Sequence, residues 1–579
     1  MKLNYKRTIF VGFAFFLICA FWQAYEAIVP LMLVNKFGMN QTLSGIIMAL
    51  DNVLAVFMLP LFGALSDKTK TKYGKRTPYI VIGTIVAIAA FIGLSFADNA
   101  QLAKITKDTG SPQEYQQLLW DADTEIANAE KSASYDKKAQ KSYKVKDYAS
   151  MVKFNKKYED LTESEREEVR NWYVNIDENT FYFYEAENGI VYLFDEAASG
   201  DKNAVKCNAY TNLVTPAHSN YAWQKTLENP VPLIFFILIL LLILISMATF
   251  RSPAVALMPD VTIKPLRSQA NAIINLMGTF GAMLVLLLGM VFGTGKISNQ
   301  TSSFTWYIVA VCGIMALGLT LFIALVREPK WAKEMEEESV RLGLETENDE
   351  IQDLVDKDTT ENSGADKGGM RELRKSDKGK FISLLLILAS VALWYTGYNA
   401  VSSKYSLYAT NILHKDYNLT LLIAQAAAII SYIPAGFIAG KIGRKKSILA
   451  GVLLLVAAFF TISWFDASTP AVLIDVIFAL GGIGWATINV NSFPMVVELA
   501  KGGNVGKYTG YYYTASMAAQ IITPVLSGVI MDLFGSMHPL FIYSTIFAGL
   551  SFVTMLFVKH GDNLVLKERK EAEEKQAEA

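Results

Sequence analysis

Residues 231–250, VPLIFFILILLLILISMATF, form a run of twenty residues without a single charge. A helix that crosses a bilayer needs about 20 mainly apolar residues, and helices buried in soluble proteins seldom stay apolar for so long. This stretch therefore predicts a membrane span, and similar runs on both sides of it predict an all-α integral membrane protein. The twelve predicted spans cover residues 8–34, 42–65, 78–97, 231–252, 268–293, 304–326, 380–408, 418–440, 446–465, 470–497, 508–531 and 538–558.

The composition agrees with a membrane protein and argues against several other classes. Of the 579 residues, 52% are hydrophobic and 18% are charged, and the net charge is -1. This balance gives no basic excess for binding nucleic acid. Three cysteines and four histidines favour neither a disulfide framework nor a metal site. No catalytic nucleophile–base set, ATP-binding loop or cofactor motif is visible, so we expect neither an enzyme nor a bound cofactor.

Lysine and arginine in the short loops set the expected orientation. The loop 66–78 holds five basic residues and the loop 441–446 holds four, and both lie on the same side as the N-terminus if every span crosses. The positive-inside rule then places both termini in the cytoplasm. The first span carries Glu26 and lacks a small-residue cleavage site, which indicates an uncleaved anchor. We expect a multi-pass protein of the cell membrane (inner or plasma membrane).

Two long polar segments interrupt the spans. The segment 98–229 holds 16 Lys/Arg and 23 Asp/Glu, so it is net acidic. It contains a capping box from Thr162 to Glu165, and the stretches 180–184 and 190–194 around Asn188-Gly189 are typical of a hairpin. These signals predict a small α+β extracytoplasmic insert between spans 3 and 4, which we interpret as a spacer or lid, with a glycan-capturing module or a docking site for a partner as the alternatives.

The second polar segment divides the chain into two sets of six spans. Asp67 and Asp260 are 193 residues apart, or 61 without the 132-residue insert, and Gly440 and Glu498 are 58 apart. These similar spacings predict two parallel six-helix repeats. The predicted organisation is an N-terminal bundle (1–97 and 230–326), the insert (98–229), a cytoplasmic linker (327–379) with a helix at 331–344, a C-terminal bundle (380–559) and a charged tail (560–579).

The loop after span 2 carries a resemblance to a known family. Gly63-x-x-x-Asp67, followed by Gly74-Lys75-Arg76, resembles the loop motif of the major facilitator superfamily. The full stretch 67–78 is similar to the longer version found in glycoside–pentoside–hexuronide:cation symporters and in sucrose-carrier-like sugar transporters. Three further motifs resemble the same branch: Met48-x-x-Asp51-Asn52 with Pro60, Ala256-Leu-Met-Pro-Asp260 and Gly397-Tyr-Asn-Ala400.

The resemblance implies a major facilitator fold and cation-coupled sugar transport, with one departure. Sodium-coupled members place two acidic residues one turn apart in span 2. Here Asp51 has Ile47 and Ala55 at the neighbouring turns, so no acidic partner lies on its own helix. The departure predicts protons as the coupling ion in place of sodium. Gly440 also stands where the second half would carry the motif acid.

Ionisable groups inside spans require a reason, because each costs at least about 2.5 kcal/mol to insert. Asp51 and Glu26 are therefore the predicted proton carriers, with a structural hydrogen bond as the alternative. Amides and aromatic rings suit a polyhydroxylated ligand, although single residues of these types also line interfaces and join helices. The predicted substrate-binding residues are Trp22, Gln23, Glu26, Asn52, Asn271, Asn275, Trp394, Tyr398, Asn399, Trp485, Asn489, Tyr512 and Gln520.

Charged residues near the cytoplasmic ends of the spans predict a gate, with ordinary topogenic charge as the alternative. The predicted gate residues are Asp67, Arg76, Arg251, Asp260, Arg444 and Glu498. Lys404 in span 7 is expected to pair with Glu26 or Asp51 across the cavity, or else to reach the surface.

The sequence as a whole favours a secondary transporter that imports a sugar, a di- or oligosaccharide, by proton symport and alternating access. The expected partners are the sugar and the bilayer, with a monomeric chain and a possible extracytoplasmic partner for the insert. Two alternatives stay open: a transporter of the same fold for a drug, peptide or carboxylate, and a membrane sensor that binds without transport.

Overall fold

The computed structural model describes residues 3–106, 111–127, 142–177, 180–186, 189–193, 205–263, 266–341, 378–497, 499 and 505–560. The first six membrane helices form one bundle, and the next six form another. The first bundle consists of α1 (Tyr5–Leu31), α2 (Gln41–Lys68), α3 (Thr77–Ile105), α8 (Val231–Asp260), α9 (Arg267–Phe292) and α10 (Thr305–Leu325). The second consists of α12 (Lys378–Tyr408), α13 (Tyr417–Ile442), α14 (Arg444–Ile462), α15 (Ala471–Val497), α16 (Val505–Phe534) and α17 (Pro539–Leu556).

These helices confirm the all-α membrane fold class. Within the described ranges, eleven helices are long and apolar enough to cross a membrane, and counting the bent α13 as one span makes up to twelve. The bend of 48° lies between Tyr432 and Pro434, where proline removes a backbone hydrogen-bond donor. The helix α3 runs to Ile105, beyond the predicted end at 97, because its last turns are buried and Asp98 pairs there with Lys36 at 2.6 Å.

The two bundles repeat the same helix ending at an offset of 376 or 377 residues. In the first bundle α1 passes into a π-helical segment, Met32–Lys36, and in the second α12 passes into Ala409–Leu413. Gly38 and His414 follow with φ of 70° and 52°. Asn40 and Asp416 then cap the next helix. The repeat is thus present in backbone geometry where the residue types differ.

The insert lies at one end of the bundles, which we call the insert side; the opposite end, with the loop between α2 and α3, is the basic side. The insert comprises α4 (Pro112–Ala122), α5 (Val145–Phe154), α6 (Glu163–Val174), α7 (Thr215–Glu228) and strands β1 (Glu125–Ala127), β2 (Ser142–Lys144), β3 (Thr180–Ala186), β4 (Gly189–Leu193) and β5 (Val205–Asn208). Strands β1 and β2 pair antiparallel, and the second sheet has the order β4-β3-β5. The insert has a hydrophobic core of its own, in which Trp120, Tyr148 and Tyr173 are buried.

Two local predictions for the insert can be compared with this structure. The capping box is confirmed, because Thr162 and Glu165 exchange side-chain and backbone bonds at the start of α6. The hairpin is confirmed, but Ala186 pairs with Gly189, so its loop is 187–188 and lies one residue earlier than predicted. Those two loop residues lie outside the described part of the chain.

The linker helix is also confirmed as α11 (Glu328–Arg341), and its first residue holds the basic-side loop. The Glu328 carboxylate accepts the backbone N–H groups of Lys75, Arg76 and Thr77 at 2.7, 2.8 and 2.8 Å. A carboxylate at a helix N-terminus satisfies free N–H donors and complements the helix dipole, so Glu328 fixes the start of α3. The remaining linker and the tail after 560 lie outside the described residues.

Helix α7 docks the insert on the first bundle through buried polar contacts. His218 is 1% exposed, and its Nε2 donates to the carbonyl of Asn35 in the π-helical segment. Thr226 donates its hydroxyl to the carbonyl of Phe37 at 2.9 Å and accepts the side-chain amide of Gln101 on α3 at 2.9 Å. The insert is therefore attached to the end of α1 that faces the second bundle.

The buried His218 makes insert docking depend on pH. Burial lowers the pKa of His218 from 6.5 to about 4. Between these values the unfolded chain binds more protons than the folded one, so stability is complete above pH 6.5 and falls as the pH approaches 4, by about 3 kcal/mol in total. We expect the protection factors of the α7 amides, that is, the intrinsic exchange rate divided by the observed rate at the same pH, to fall as the pH is lowered over this range. The His218→Gln variant keeps an N–H donor but does not titrate, so it should lose most of this pH dependence; an unchanged dependence would contradict the assignment.

Candidate functional site

A cavity of about 300 Å³ lies between the two bundles near the middle of the membrane helices. The first bundle contributes Gln23 and Glu26 from α1, and the second contributes Tyr398 from α12, Gln425 from α13 and Trp485 from α15. Ligand pockets in proteins typically have volumes of about 300–1,000 Å³. The cavity thus has the size and the position between repeats that a transporter site requires.

The polar and aromatic groups of the cavity form two pairs. Gln425 donates its amide to Gln23 Oε1 at 2.7 Å, which joins the two bundles across the cavity. Tyr398 and Trp485 stack with ring centroids 3.6 Å apart and planes 3° from parallel. The amide pair offers donors and acceptors, and the stacked pair offers a flat apolar surface. A ligand in the cavity would contact both bundles.

A charged cluster lies beside the cavity inside the first bundle. Arg251 on α8 interacts electrostatically with both Glu26 and Asp51, although neither carboxylate forms an ion pair with it among the described residues. Asn52 donates its side-chain amide to Asp51 Oδ1 at 2.6 Å. The guanidinium lies 5.6 Å from the ring centre of Trp22, a cation–π contact. The cluster therefore combines two carboxylates with one fixed positive charge.

The structure corrects two expectations about charged residues and adds to a third. Arg251 belongs to the interior and not to the basic-side network, because it lies more than two turns before the end of α8 at Asp260. Asp51 has no acidic partner on its own helix, as predicted, but it interacts electrostatically with Glu26 from another helix. Lys404 pairs with neither, because its Nζ donates to the backbone carbonyl and Oε1 of Gln41, both at 3.1 Å.

Of the predicted substrate-binding residues, Gln23, Glu26, Tyr398 and Trp485 line the cavity. Asn271 and Asn275 lie on the face of α9 that carries the cavity residue Thr279, two turns and one turn nearer the basic side, respectively. Asn275 donates to the backbone carbonyl of Asn271 at 2.8 Å.

The other predicted residues lie outside the cavity lining. Trp394 is 0% exposed and serves helix packing, so the prediction that it contacts substrate is wrong in this conformation. Tyr512 is 4% exposed and is within 2.9 Å of the Ser492 hydroxyl. Trp22 lies under Arg251, and Asn52 is bonded to Asp51. The half-buried Asn399, Asn489 and Gln520 are absent from the cavity lining.

Sequence reasoning missed Gln425, Thr279 and Tyr432, which also line the cavity. Gln425 carried a usable signal, since it is an amide within the apolar run LLIAQAAAII. An uncharged polar residue inside a span is expected to face a partner or a cavity. Thr279 gave no such signal, because threonine in a membrane helix can bond its own backbone, as Thr279 does to Asn275 at 3.0 Å.

The two bundles are closed against each other on the insert side. Asp532 on α16 accepts the backbone N–H groups of Gln41 and Thr42 at 2.8 and 2.7 Å. Asn411 donates its amide to Asn35 at 3.0 Å, which joins the two repeated π-helical segments. The helices α2 and α16 approach so closely that a Cβ atom at Gly45 would overlap the carbonyl oxygen of Pro524. We call these contacts the insert-side gate.

The basic side is open between the same two helices. A cleft of about 810 Å³ separates α2 from α16 and is lined by Pro60 and Asp67 on one wall and Thr514 and Ile521 on the other. The bundles therefore touch at the insert side and part at the basic side.

The predicted basic-side gate residues form a network inside the first bundle. Arg76 Nε bonds Asp260 at 2.8 Å, its guanidinium also pairs with Asp67, and Lys75 lies 3.4 Å from Asp260. These ion pairs hold the ends of α2, α3 and α8 together and do not reach the second bundle here. Arg444 begins α14 in the second bundle, and Glu498 lies outside the described residues.

Comparison with known proteins identifies the family to which this fold belongs. A family profile described as Major Facilitator Superfamily matches residues 221–500 and 395–578. The chain belongs to the major facilitator superfamily. A profile described as MFS/sugar transport protein matches residues 11–106. The chain is therefore a membrane transporter of this superfamily and not an enzyme.

Individual relatives are distant. The chain is 29% identical over 119 residues to the MFS-type transporter ppzB of Metarhizium rileyi, and that alignment covers 20% of this chain and 24% of the relative. The crystal structure of a D-xylose-proton symporter matches with a TM-score of 0.53 at 12% identity, over 97% of this chain and 99% of that one. A peptide transporter POT in complex with sulfate matches with a TM-score of 0.52 at 12% identity, over 97% and 94%. At these identities the structures show the major facilitator fold alone.

Proposed function

We propose that this transporter imports a sugar, a di- or oligosaccharide, in symport with protons. The observation that carries the proposal is the cavity between the bundles, where the Gln23–Gln425 amide pair and the stacked Tyr398–Trp485 pair face one space. Hydroxyl groups of a sugar would exchange bonds with the amides, and the C–H face of a sugar ring would pack on the aromatic surface.

The charge of the cavity favours an uncharged ligand. Among the described residues that line it, Glu26 is the single carboxylate, and neither lysine nor arginine is present. A carboxylate or phosphate substrate requires a cation to replace its hydration, and Arg251 is occupied beside Glu26 and Asp51. Sugar hydroxyls need no such partner.

The charge balance of the Glu26–Asp51–Arg251 cluster supports proton coupling. Two carboxylates and one guanidinium leave one net negative charge in the membrane interior, which favours the uptake of one cation. Arg251 would repel a sodium ion, whereas a proton bonds directly to a carboxylate. Because Glu26 also lines the cavity, protonation and sugar binding are expected to affect each other.

The orientation completes the proposed cycle. If the lysine- and arginine-rich side is cytoplasmic, both termini are cytoplasmic, the insert is extracytoplasmic and the structure is open to the cytoplasm. One charge moving through about 150 mV gains about 3.5 kcal/mol, enough for a few-hundredfold accumulation of sugar. A single chain contains both bundles and the cavity between them, so we propose that it acts as a monomer.

The proposal is tested by proton flux into proteoliposomes. A pH-sensitive dye is enclosed, and glucose, xylose, sucrose, maltose, melibiose and raffinose are added outside in turn. We expect acidification that depends on one of the larger sugars. No acidification with any sugar would overturn the assignment of a sugar substrate. Sodium-dependent uptake without acidification would overturn the assignment of the proton as the coupling ion.

A matched pair of tryptophan variants ties the flux to the cavity. Trp485→Ala removes the surface stacked on Tyr398 and should weaken transport by about tenfold or more, since stacking and burial of one aromatic residue contribute a few kcal/mol. Trp464→Ala changes a residue that is 76% exposed and outside the cavity, and should transport normally. Equal rates for the two variants would exclude the cavity as the binding site.

A further inference from the structure

A second cavity, of about 440 Å³, lies on the insert side between the insert and both bundles. We call it the vestibule. The insert contributes Asn212, Ser219 and Asn220, the first bundle contributes Asn35 and Asn40, and the second contributes Ser536 among others. The vestibule is thus built jointly by three parts of the chain that are distant in sequence.

The vestibule is a polar site dominated by amide and hydroxyl groups. Its lining includes six asparagine and glutamine side chains, from Asn35, Asn40, Gln41, Asn212, Asn220 and Asn411. Hydroxyl groups come from Thr215, Ser219 and Ser536, and Asp532 supplies a carboxylate. Among the described residues of the lining there is neither lysine nor arginine, so the set is suited to hydroxyls and not to anions.

The floor of the vestibule is the insert-side gate itself. Asn35 and Asn411, which bond each other across the bundles, both face it, and so do Gln41 and Asp532. When these bonds open, a ligand passes from the vestibule directly into the central cavity. A ligand in the vestibule would lie directly outside the closed gate.

The wall contributed by the insert is held firmly. Helix α7 carries Ser219 and Asn220, and it is fixed to the first bundle by His218 and Thr226 on neighbouring turns. Asn220 is itself held, because its amide donates to the backbone carbonyl of Glu125. Polar groups on such a supported helix are preorganised for binding.

We propose that the vestibule is a second sugar-binding site, which holds the substrate before the gate opens. The proposal rests on the proposed sugar transport and assigns the insert a direct part in substrate capture. It predicts that one chain binds two sugar molecules, one in the vestibule and one in the central cavity.

Binding stoichiometry tests this proposal on the full chain in nanodiscs. The probes are the radiolabelled sugars of the flux panel, measured by equilibrium dialysis. Ser219→Trp and Ser536→Trp fill the vestibule from opposite walls, so a folding defect in one leaves the other available. Gln224→Trp is the matched control, since Gln224 lies on the exposed face of the same helix α7. Trp485→Ala weakens the central site.

We expect saturation at two sugars per chain for the wild type and Gln224→Trp, and at one for Ser219→Trp and Ser536→Trp. The remaining site in these two variants should bind sugar about tenfold or more weakly when Trp485→Ala is added. Saturation of the wild type at one sugar, at a site weakened by Trp485→Ala and unaffected by both vestibule variants, would overturn this proposal and leave the proposed transport intact. Absence of binding for every sugar would overturn both.

Discussion

The Asp51→Asn variant is expected to lose uphill sugar accumulation while it still exchanges sugar across the membrane. The substitution keeps the size of the side chain and its bonding to Asn52 but removes one of the two carboxylates beside Arg251. The cluster then becomes neutral without a proton, so sugar no longer requires proton uptake. The accumulation ratio should fall from a few hundredfold to about one. The variant loses the whole driving force of about 3.5 kcal/mol that one charge gains in crossing the membrane. Counterflow and uphill uptake are measured on the same vesicles.

A half-buried carboxylate of the second bundle provides the matched control. Asp475 on α15 accepts a hydrogen bond from Thr420 at 2.8 Å and belongs to the other bundle. Asp475→Asn makes the same chemical change away from Arg251, and it should accumulate sugar normally. Uphill uptake by Asp51→Asn at the wild-type ratio would refute its coupling role. Glu26→Gln should differ from both, with weakened sugar binding as well as lost coupling, because Glu26 lines the cavity.

The membrane spans were predictable because they depend on an average property, the apolar content of about 20 consecutive residues. The repeat of the two bundles was harder to predict from the sequence. Its clearest expression is the shared ending of α1 and α12, where Gly38 corresponds to His414 and both have positive φ. Glycine and histidine share no side-chain chemistry, so the correspondence lies in the backbone and appears only in three dimensions.

The candidate site was predictable where its residues lie on the same helix, because their spacing along the chain then shows that they are neighbours. Gln23 and Glu26 are one turn apart on α1, and both line the cavity. Glu26 and Asp51 come from different helices, and spacing along a single helix gave no sign that they are neighbours. Trp394 and Tyr398 show the same limit within one helix: they are one turn apart on α12, yet the first packs in the bundle and only the second lines the cavity.

Arg251 was misplaced because distance along the chain was taken for distance from the membrane surface. Helix α8 extends to Asp260, which leaves Arg251 inside the bundle. Glu328 was overlooked for the opposite reason, since a charge just after a span is ordinarily topogenic. In the structure it is 2% exposed and caps α3, so a residue of the linker organises the loop motif that carried the family resemblance.

The Gly45→Val variant is expected to reduce sugar uptake by at least about a hundredfold by preventing closure of the insert-side gate. A side chain at Gly45 would overlap the backbone carbonyl of Pro524, and a backbone atom cannot move aside as a flexible side chain can. A clash of about 3 kcal/mol confined to the closed state shifts the balance between the two states by about 150-fold. The variant should therefore accumulate in the conformation open to the insert side, and should still bind sugar in the central cavity.

Cys19 provides a native probe for this shift, because it lines the central cavity and is a free thiol. In a chain lacking Cys207 and Cys312, a membrane-impermeant maleimide applied to the insert side should label Cys19 faster in Gly45→Val than in the parent chain. Gly549→Val is the matched control, since a Cβ atom there meets nothing within 4 Å and both gate surfaces are unchanged. If Gly45→Val is labelled at the parental rate and transports like Gly549→Val, then α2 and α16 do not need to approach this closely during the cycle, and the insert-side gate must close through the polar contacts of Asp532 and Asn411 alone.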